Sequence, residues 1–170
     1  MDIGVQKELP TRYKCAIREH WYKSPNIADA PSAFFFKRAH EYPKLLSNDA
    51  QVLVTDSAYK VEMKQGFELN SFIFSFYNSL TLAFAELEGR YYGGGVLELT
   101  PNEFRVLPIP YVSPANFEQF KQDFKNKTSI EELLANYNYQ ILNISLGLNQ
   151  DEIDRVELIR RKLVNKRHRN

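Results

Sequence analysis

Residues 13–22, Tyr-Lys-Cys-Ala-Ile-Arg-Glu-His-Trp-Tyr, interleave cations with large aromatic rings. Lys14 and Arg18 are of the types that neutralise phosphates or read guanine edges, and Trp21 and Tyr22 offer flat faces to a base or a sugar. The same spacing suits a strand whose polar face is only solvated, with Trp21 and Tyr22 closing a core. A second run, Gly89-Arg90-Tyr91-Tyr92-Gly93-Gly94-Gly95, sets three consecutive glycines beside one guanidinium and two phenols. Each glycine costs about 0.5–1 kcal/mol relative to alanine in regular backbone, so the run fits a loop that needs positive φ or close approach to a phosphate or base. A tight helix-to-strand connection accounts for it equally well. The run has neither the GxGxxG order of a dinucleotide site nor the Lys-Ser/Thr ending of a P-loop.

Other reactive side-chain types are scattered. Asp56, Glu62 and Lys64 superficially resemble the Asp…Glu-x-Lys metal site of many restriction nucleases. The gap between the first two is too short for the strand pair such a site needs, and alternation along one strand explains them. Glu86 and Glu88 fall on different sides of a helix end and make a poor acid–base pair. His20, His40 and His168 have no Asp or Ser partner at motif spacing, and Cys15 reads as a small core residue. One cysteine beside three scattered histidines forms neither an internal disulfide nor a metal-ligand cluster. The expectation is no catalytic residue, no metal and no cofactor for this chain alone.

Positioning these side chains requires particular elements. Tyr13, Cys15 and Ile17 alternate with Arg12, Lys14 and Arg18, which predicts a half-buried strand with a cationic outer face. Val52 to Val54 and Tyr59 to Met63 are further predicted strands. Between Pro25 and Asp49, Pro25, Pro31 and Pro43 break up the apolar patch at 34–36, predicting irregular structure with short strands. From Leu69 to Gly89 the period becomes helical and nearly every side is apolar, the mark of a buried central helix. Gly93, Gly94 and Gly95 lead into a strand at 96–99, Pro101 opens a helical turn, and Leu107-Pro108-Ile109-Pro110 is extended. Beyond Pro114 the pattern is helical throughout. Phe117, Phe120 and Phe124 form one stripe, Thr128 with Glu131 makes a capping box, Gly147 stops that helix, and Asn149 with Glu152 caps the last. The expected fold is α+β: a small mixed or antiparallel sheet around a buried central helix, followed by a C-terminal helical segment. The expected division is 1–114 for the α+β domain and 115–170 for the helices with their basic tail.

At 170 residues the chain is the length of one ordinary domain. Its 22 Lys+Arg against 21 Asp+Glu argue against a uniformly basic protein that coats nucleic acid. The balance is uneven, however. Residues 155–170 carry seven cations against Glu157 alone, a local +6 over a body of −5. That helix end reads either as a solvated terminus matched to its dipole or as a phosphate-contacting arm or partner anchor. The charge-free stretch 69–85 contains Asn70, Ser71, Ser75, Asn78, Ser79 and Thr81 and falls short of the ~20 mostly apolar residues of a membrane span. No basic start followed by an apolar stretch resembles a secretion signal, so a cytoplasmic protein without a membrane partner is expected.

The order Tyr13-Lys14-Cys15-x-Ile17-Arg18-x-x-Trp21-Tyr22, then Ala85-Glu86-Leu87-Glu88-Gly89-Arg90-Tyr91-Tyr92-Gly93-Gly94-Gly95 running on to Thr100-Pro101-Asn102-Glu103, then Leu107-Pro108-Ile109-Pro110, resembles a known region. It is similar to the C-terminal target-recognition region of N6-adenine DNA methyltransferases from bacterial type II restriction–modification systems, over roughly residues 11–110. The helix, glycine-rich turn, strand and Pro-Ile-Pro exit are also similar to recognition domains of type I specificity subunits. The resemblance implies a sequence-specific DNA recognition module, with double-stranded DNA as one partner. The other implied partner is a methyltransferase catalytic domain, in the same or a neighbouring chain. It implies DNA contacts from Lys14, Arg18, His20, Trp21, Tyr22, Arg90, Tyr91 and Tyr92, with close backbone approach at Gly93, Gly94 and Gly95. Position 20 is His where the family pattern suggests a cation. Members of the family hold S-adenosylmethionine and the flipped adenine in an N-terminal domain with an Asn-Pro-Pro-Tyr/Phe tetrapeptide. This sequence has no Pro-Pro dipeptide, so the cofactor is expected only in a parent enzyme. The alternative is a protein-interaction module that docks onto a methyltransferase or nuclease subunit through its C-terminal helices.

Overall fold

The computed structural model describes residues 1–23, 29–54 and 56–169; Pro25, expected to interrupt the chain, lies outside them. Helix α1 (Asp2–Gln6), a 3-10 turn (Leu9–Thr11) and α2 (Tyr13–Ala16) pack on one another. The strand expected at 13–18 is therefore a helical turn. Alternation becomes β-structure only with a partner strand and a covered face. Here Tyr13 is 79% exposed and Ile17 68%, and among the described residues no strand pairs with this segment.

The strands in chain order are β1 (Ala33–Phe36), β2 (Arg38–Ala39), β3 (Leu45–Ser47), β4 (Ala58–Val61), β5 (Arg90–Tyr92) and β6 (Val96–Glu98). They form two antiparallel three-stranded sheets, ordered β3-β1-β4 and β2-β6-β5, where one sheet was expected. The chain crosses from the first sheet to the second over Lys37 alone. Its N–H donates to the Ser57 carbonyl at 3.3 Å and its carbonyl accepts from the Leu99 N–H at 3.0 Å. The strand expected at 52–54 is absent because a side chain replaces its partner. Asn48 Oδ1 accepts from the Val52 N–H at 3.0 Å, and Asn48 Nδ2 donates to the carbonyls of Val52 and Pro31, each at 2.9 Å. Backbone groups satisfied in this way need no ladder.

The single central helix is two, α3 (Leu69–Phe76) and α4 (Ser79–Glu88). Asn78 makes the break. It is extended (φ −140°, ψ 158°), and its Oδ1 accepts from the Thr81 N–H at 2.9 Å as the N-cap of α4. Its Nδ2 donates to the Ser75 carbonyl at 2.6 Å and to Thr81 Oγ1 at 2.8 Å. Apart from exposed Asn70, the polar residues that diluted the apolar stretch are buried and hydrogen-bonded, and Ser75, Asn78, Ser79 and Thr81 build this joint. Ser75 Oγ bonds both backbone groups of Val112, and Asn138 bonds the Ser79 N–H and hydroxyl. Among the described residues, no buried side-chain nitrogen or oxygen is left unbonded.

Helices α5 (Pro101–Arg105), α6 (Phe117–Lys125), α7 (Ile130–Leu146) and α8 (Gln150–Arg169) complete the chain. Ser129, not Thr128, caps α7, accepting from the Glu132 N–H at 3.2 Å. Thr128 is engaged elsewhere: its N–H closes the end of α6 on the Asp123 carbonyl at 3.1 Å, with left-handed Lys127 (φ 58°) between. Gly147 ends α7 at φ 70°, and Asn149 and Glu152 cap α8 reciprocally, both as the sequence predicts. The aromatic side chains form the core, with Phe35, Phe76 and Phe104 on one side and Phe74, Tyr77, Phe120, Phe124 and Tyr137 on the other. Helix α8 packs along α4. The architecture is α+β with a C-terminal helical segment, and among the described residues no helix is long and apolar enough to cross a membrane.

Candidate nucleic-acid interface

The glycine run is a β-hairpin. Gly89 ends α4 in an extended conformation, and the helix and β6 approach so closely there that a Cβ would stand 2.4 Å from Leu97 Cδ1 and 2.7 Å from the Ala85 carbonyl. Strand β5 then runs antiparallel to β6, with Tyr92 opposite Val96 and Gly93, Gly94 and Gly95 as the turn. Gly94 and Gly95 have φ of +76° and +75°, a region open to glycine and strained for other residues. A Cβ on Gly95 would also meet His168 Cδ2 at 2.9 Å, whereas Gly93 faces open space. The glycines thus serve both a turn and a close packing against α8.

Alternation along β5 separates its side chains. The Tyr91 hydroxyl turns back and donates to the Glu86 carbonyl, and partial burial raises its pKa. Arg90 and Tyr92 share the opposite direction and are exposed. The register places Glu98 between Arg38 on β2 and Arg90 on β5. Arg38 Nε donates to Glu98 Oε2 at 2.5 Å, and its guanidinium lies 5.7 Å from the centre of the Tyr92 ring. Arg90 Nε donates to Glu103 Oε1 at 2.7 Å, while Glu103 Oε2 accepts from the Thr100 N–H that opens α5. Burial opposes ionisation of Glu103, but the Thr100 N–H and the Arg90 guanidinium outweigh it and hold the carboxyl below its ordinary value. Both guanidinium groups are raised by their carboxylate partners. Each arginine is thus gripped at Nε, with the side chain more than 60% exposed and, among the described residues, no hydrogen bond at either terminal nitrogen.

The hairpin is held from behind by Arg167 of α8, which is fully buried. Its Nε and Nη2 donate to the two oxygens of Glu86 at 2.8 and 2.9 Å, and Nη1 donates to the carbonyls of His40 and Gly95. His168 stacks on His40 at 5.0 Å. Part of the basic tail is thereby committed within the fold. Arg160 is also buried, against Glu157 at 2.7 Å and Glu131 at 3.2 Å, and Arg161 pairs with Glu157.

The other expected contact residues sit apart from the hairpin. Trp21 packs on Gly4, whose Cβ position lies 2.3 Å from the indole, and Tyr22 contacts Trp21 edge-on and His20 face-on. Arg18 Nη1 donates to the Lys23 carbonyl at 3.1 Å, and Lys14 is exposed. Among the described residues no hydrogen bond, ion pair or ring contact joins Lys14, Arg18, His20, Trp21 or Tyr22 to the hairpin. Glu62 accepts from both the N–H and the hydroxyl of Ser32. Among the described residues, no three His, Cys, Asp or Glu side chains gather as a metal site. Sequence reasoning missed Arg38, Glu98 and Glu103. The only signal for the first was the basic step Lys37-Arg38 directly after the Phe34–Phe36 patch.

The family model for the type II methyltransferase M.Eco57I, C-terminal domain, matches residues 1–142. Comparison with curated proteins gives no match, and neither does comparison with solved structures.

Proposed function

The chain belongs to the family of type II methyltransferase M.Eco57I C-terminal domains, and from that premise we propose that it is the DNA target-recognition module of a restriction–modification adenine methyltransferase. The observation that carries the reading is the pair Arg38 and Arg90. Each guanidinium is oriented by a carboxylate at Nε and leaves its terminal nitrogens open to solvent. A fork oriented in this way matches the O6/N7 edge of guanine or a phosphate, and little side-chain entropy is left to lose on binding. The two arginines are separated by two strand spacings, about 10 Å, or roughly three base steps. Tyr92, beside Arg38, and the exposed turn at Gly93 and Gly94 complete the reading surface, while Tyr91 and Gly95 fix its shape.

In this reading Lys14, Arg18, His20, Trp21 and Tyr22 form a second contact segment on the duplex. S-adenosylmethionine and the N6-methylation of adenine belong to a catalytic domain in the same or a neighbouring chain, in the bacterial cytoplasm. The test is duplex binding by Arg90→Ala, expected to weaken by about 1–3 kcal/mol with discrimination lost at one base position. Unchanged affinity in a folded variant would remove the hairpin from the interface.

A second reading has its own support: Ile144 and Leu146 on α7 and Leu158 and Ile159 on α8 are each at least half exposed. These suit docking of the C-terminal helices onto a methyltransferase or nuclease subunit. Such docking would be nearly indifferent to salt, whereas DNA affinity falls steeply with it.

A further inference from the structure

A cleft of about 1040 Å³ opens between β3, α6, the start of α7 and the end of α8, and a second of about 540 Å³ lies toward β2. Glu41, Tyr42, Lys44 and Leu46 line both, so the two adjoin. The lining is unevenly charged. Arg160 and Glu131 neutralise each other, and Lys121 is held by Asp49 at 2.5 Å. Lys44, Lys125 and Lys127 form no ion pair with any described residue, and Lys44 stands over the Tyr42 ring at 5.3 Å. Among the described residues, Glu41 is the one lining carboxylate outside an ion pair. Arg38, paired with Glu98, and His40 also line the second cleft, which places it beside the sheet that carries the hairpin.

Lys127 adds an independent observation. It holds the left-handed position after α6, where its N–H bonds the Phe124 carbonyl and Thr128 bonds Asp123. Glycine is the unstrained residue at that position, and a long cation there costs about 1 kcal/mol or more of local strain.

We infer that the two clefts form one groove that grips the sugar–phosphate backbone of DNA through Lys44, Lys125 and Lys127, beside the hairpin that reads bases. The inference rests on the DNA-recognition reading above, and the two can fail separately. These lysines carry charge without a fork, so they hold a phosphodiester strand without selecting sequence. The groove would set the register of the duplex, and the arginines of β2 and β5 would then read it.

The experiment measures binding of a labelled duplex of random sequence to the full chain across a range of salt. It compares the wild type, Arg90→Ala, and the triple variant Lys44→Ala, Lys125→Ala, Lys127→Gly. Each lost phosphate contact removes about 0.9 from the slope of log affinity against log salt, so the triple variant should lose roughly 2–3 from that slope. The conservative pair Lys44→Arg, Lys125→Arg should keep the wild-type slope. Lys127→Gly relieves the left-handed strain, so the thermal midpoint of the triple variant should not fall; a melting curve checks this. An unchanged slope in the triple variant, with Arg90→Ala still weakening binding, overturns the groove and leaves the hairpin reading intact. A wild type that does not bind duplex overturns both. If polyglutamate competes as well as duplex does, and through the same lysines, the groove belongs to an acidic protein partner and the inference falls.

Discussion

Single atoms decide how the hairpin is built. Gly93 and Gly95 are neighbours in one turn, yet a methyl group means different things at each. At Gly93 it enters open space, while at Gly95 it combines φ +75° with contact against His168 at 2.9 Å. Gly95→Ala should therefore cost about 1–2 kcal/mol or more in urea unfolding, whereas Gly93→Ala should cost nothing or stabilise by up to about 1 kcal/mol. Equal costs would show that the turn is not held against α8. The same scale explains why the candidate site was half legible. The glycines, Arg90 and the tyrosines stood together in one run, so they could be singled out directly. Arg38, Glu98 and Glu103 reach the site from separate parts of the chain, and only strand register brings them together.

Elements were most legible where one residue enforces a boundary. Gly147 and the Asn149–Glu152 pair marked their helix ends because left-handed backbone and capping have local causes. The strands expected at 13–18 and 52–54 failed for the opposite reason: pairing is decided by distant partners, and the Asn48 side chain displaced one of them. The break at Asn78 was written as a polar residue in an apolar stretch, but its meaning depended on Ser75, Thr81 and Asn138 all facing the joint. Between elements, the buried pair Glu86–Arg167 ties α4 to α8. Arg167→Met should cost about 3–5 kcal/mol in urea unfolding, because Glu86 is left buried without its counter-charge. Adding Glu86→Leu should recover part of that loss, the rest belonging to the carbonyls of His40, Glu41 and Gly95 that lose their donor. If the double variant is no more stable than the single, the pair's charge is not what holds the helices together.

Across the whole molecule, three of the seven cations at the chain's end are answered within the fold, Arg160 and Arg161 by Glu157 and Glu131 and Arg167 by Glu86. That arrangement has a pH signature. Burial works against the Glu157 carboxylate, but Arg160, Ser79 and Arg161 outweigh it and hold its pKa below the ordinary 4.5. A carboxylate whose pKa is depressed by folding stabilises the protein above its unfolded pKa, and that contribution disappears as pH falls through the folded value. Stability should thus be level near neutrality and decline below about pH 4.5, with Glu157→Gln less stable by about 1–3 kcal/mol at neutral pH and flatter in acid. Urea midpoints measured against pH check both. A final consequence concerns time. The matched family region ends at residue 142, yet the guanidinium that closes on the Gly95 carbonyl belongs to residue 167, 72 positions downstream. At about 5–20 residues per second a ribosome needs roughly 4–14 s to traverse that interval, during which the hairpin emerges without its clamp. A message cut short within the last helix would therefore yield a protein with its whole family signature and a loosened hairpin.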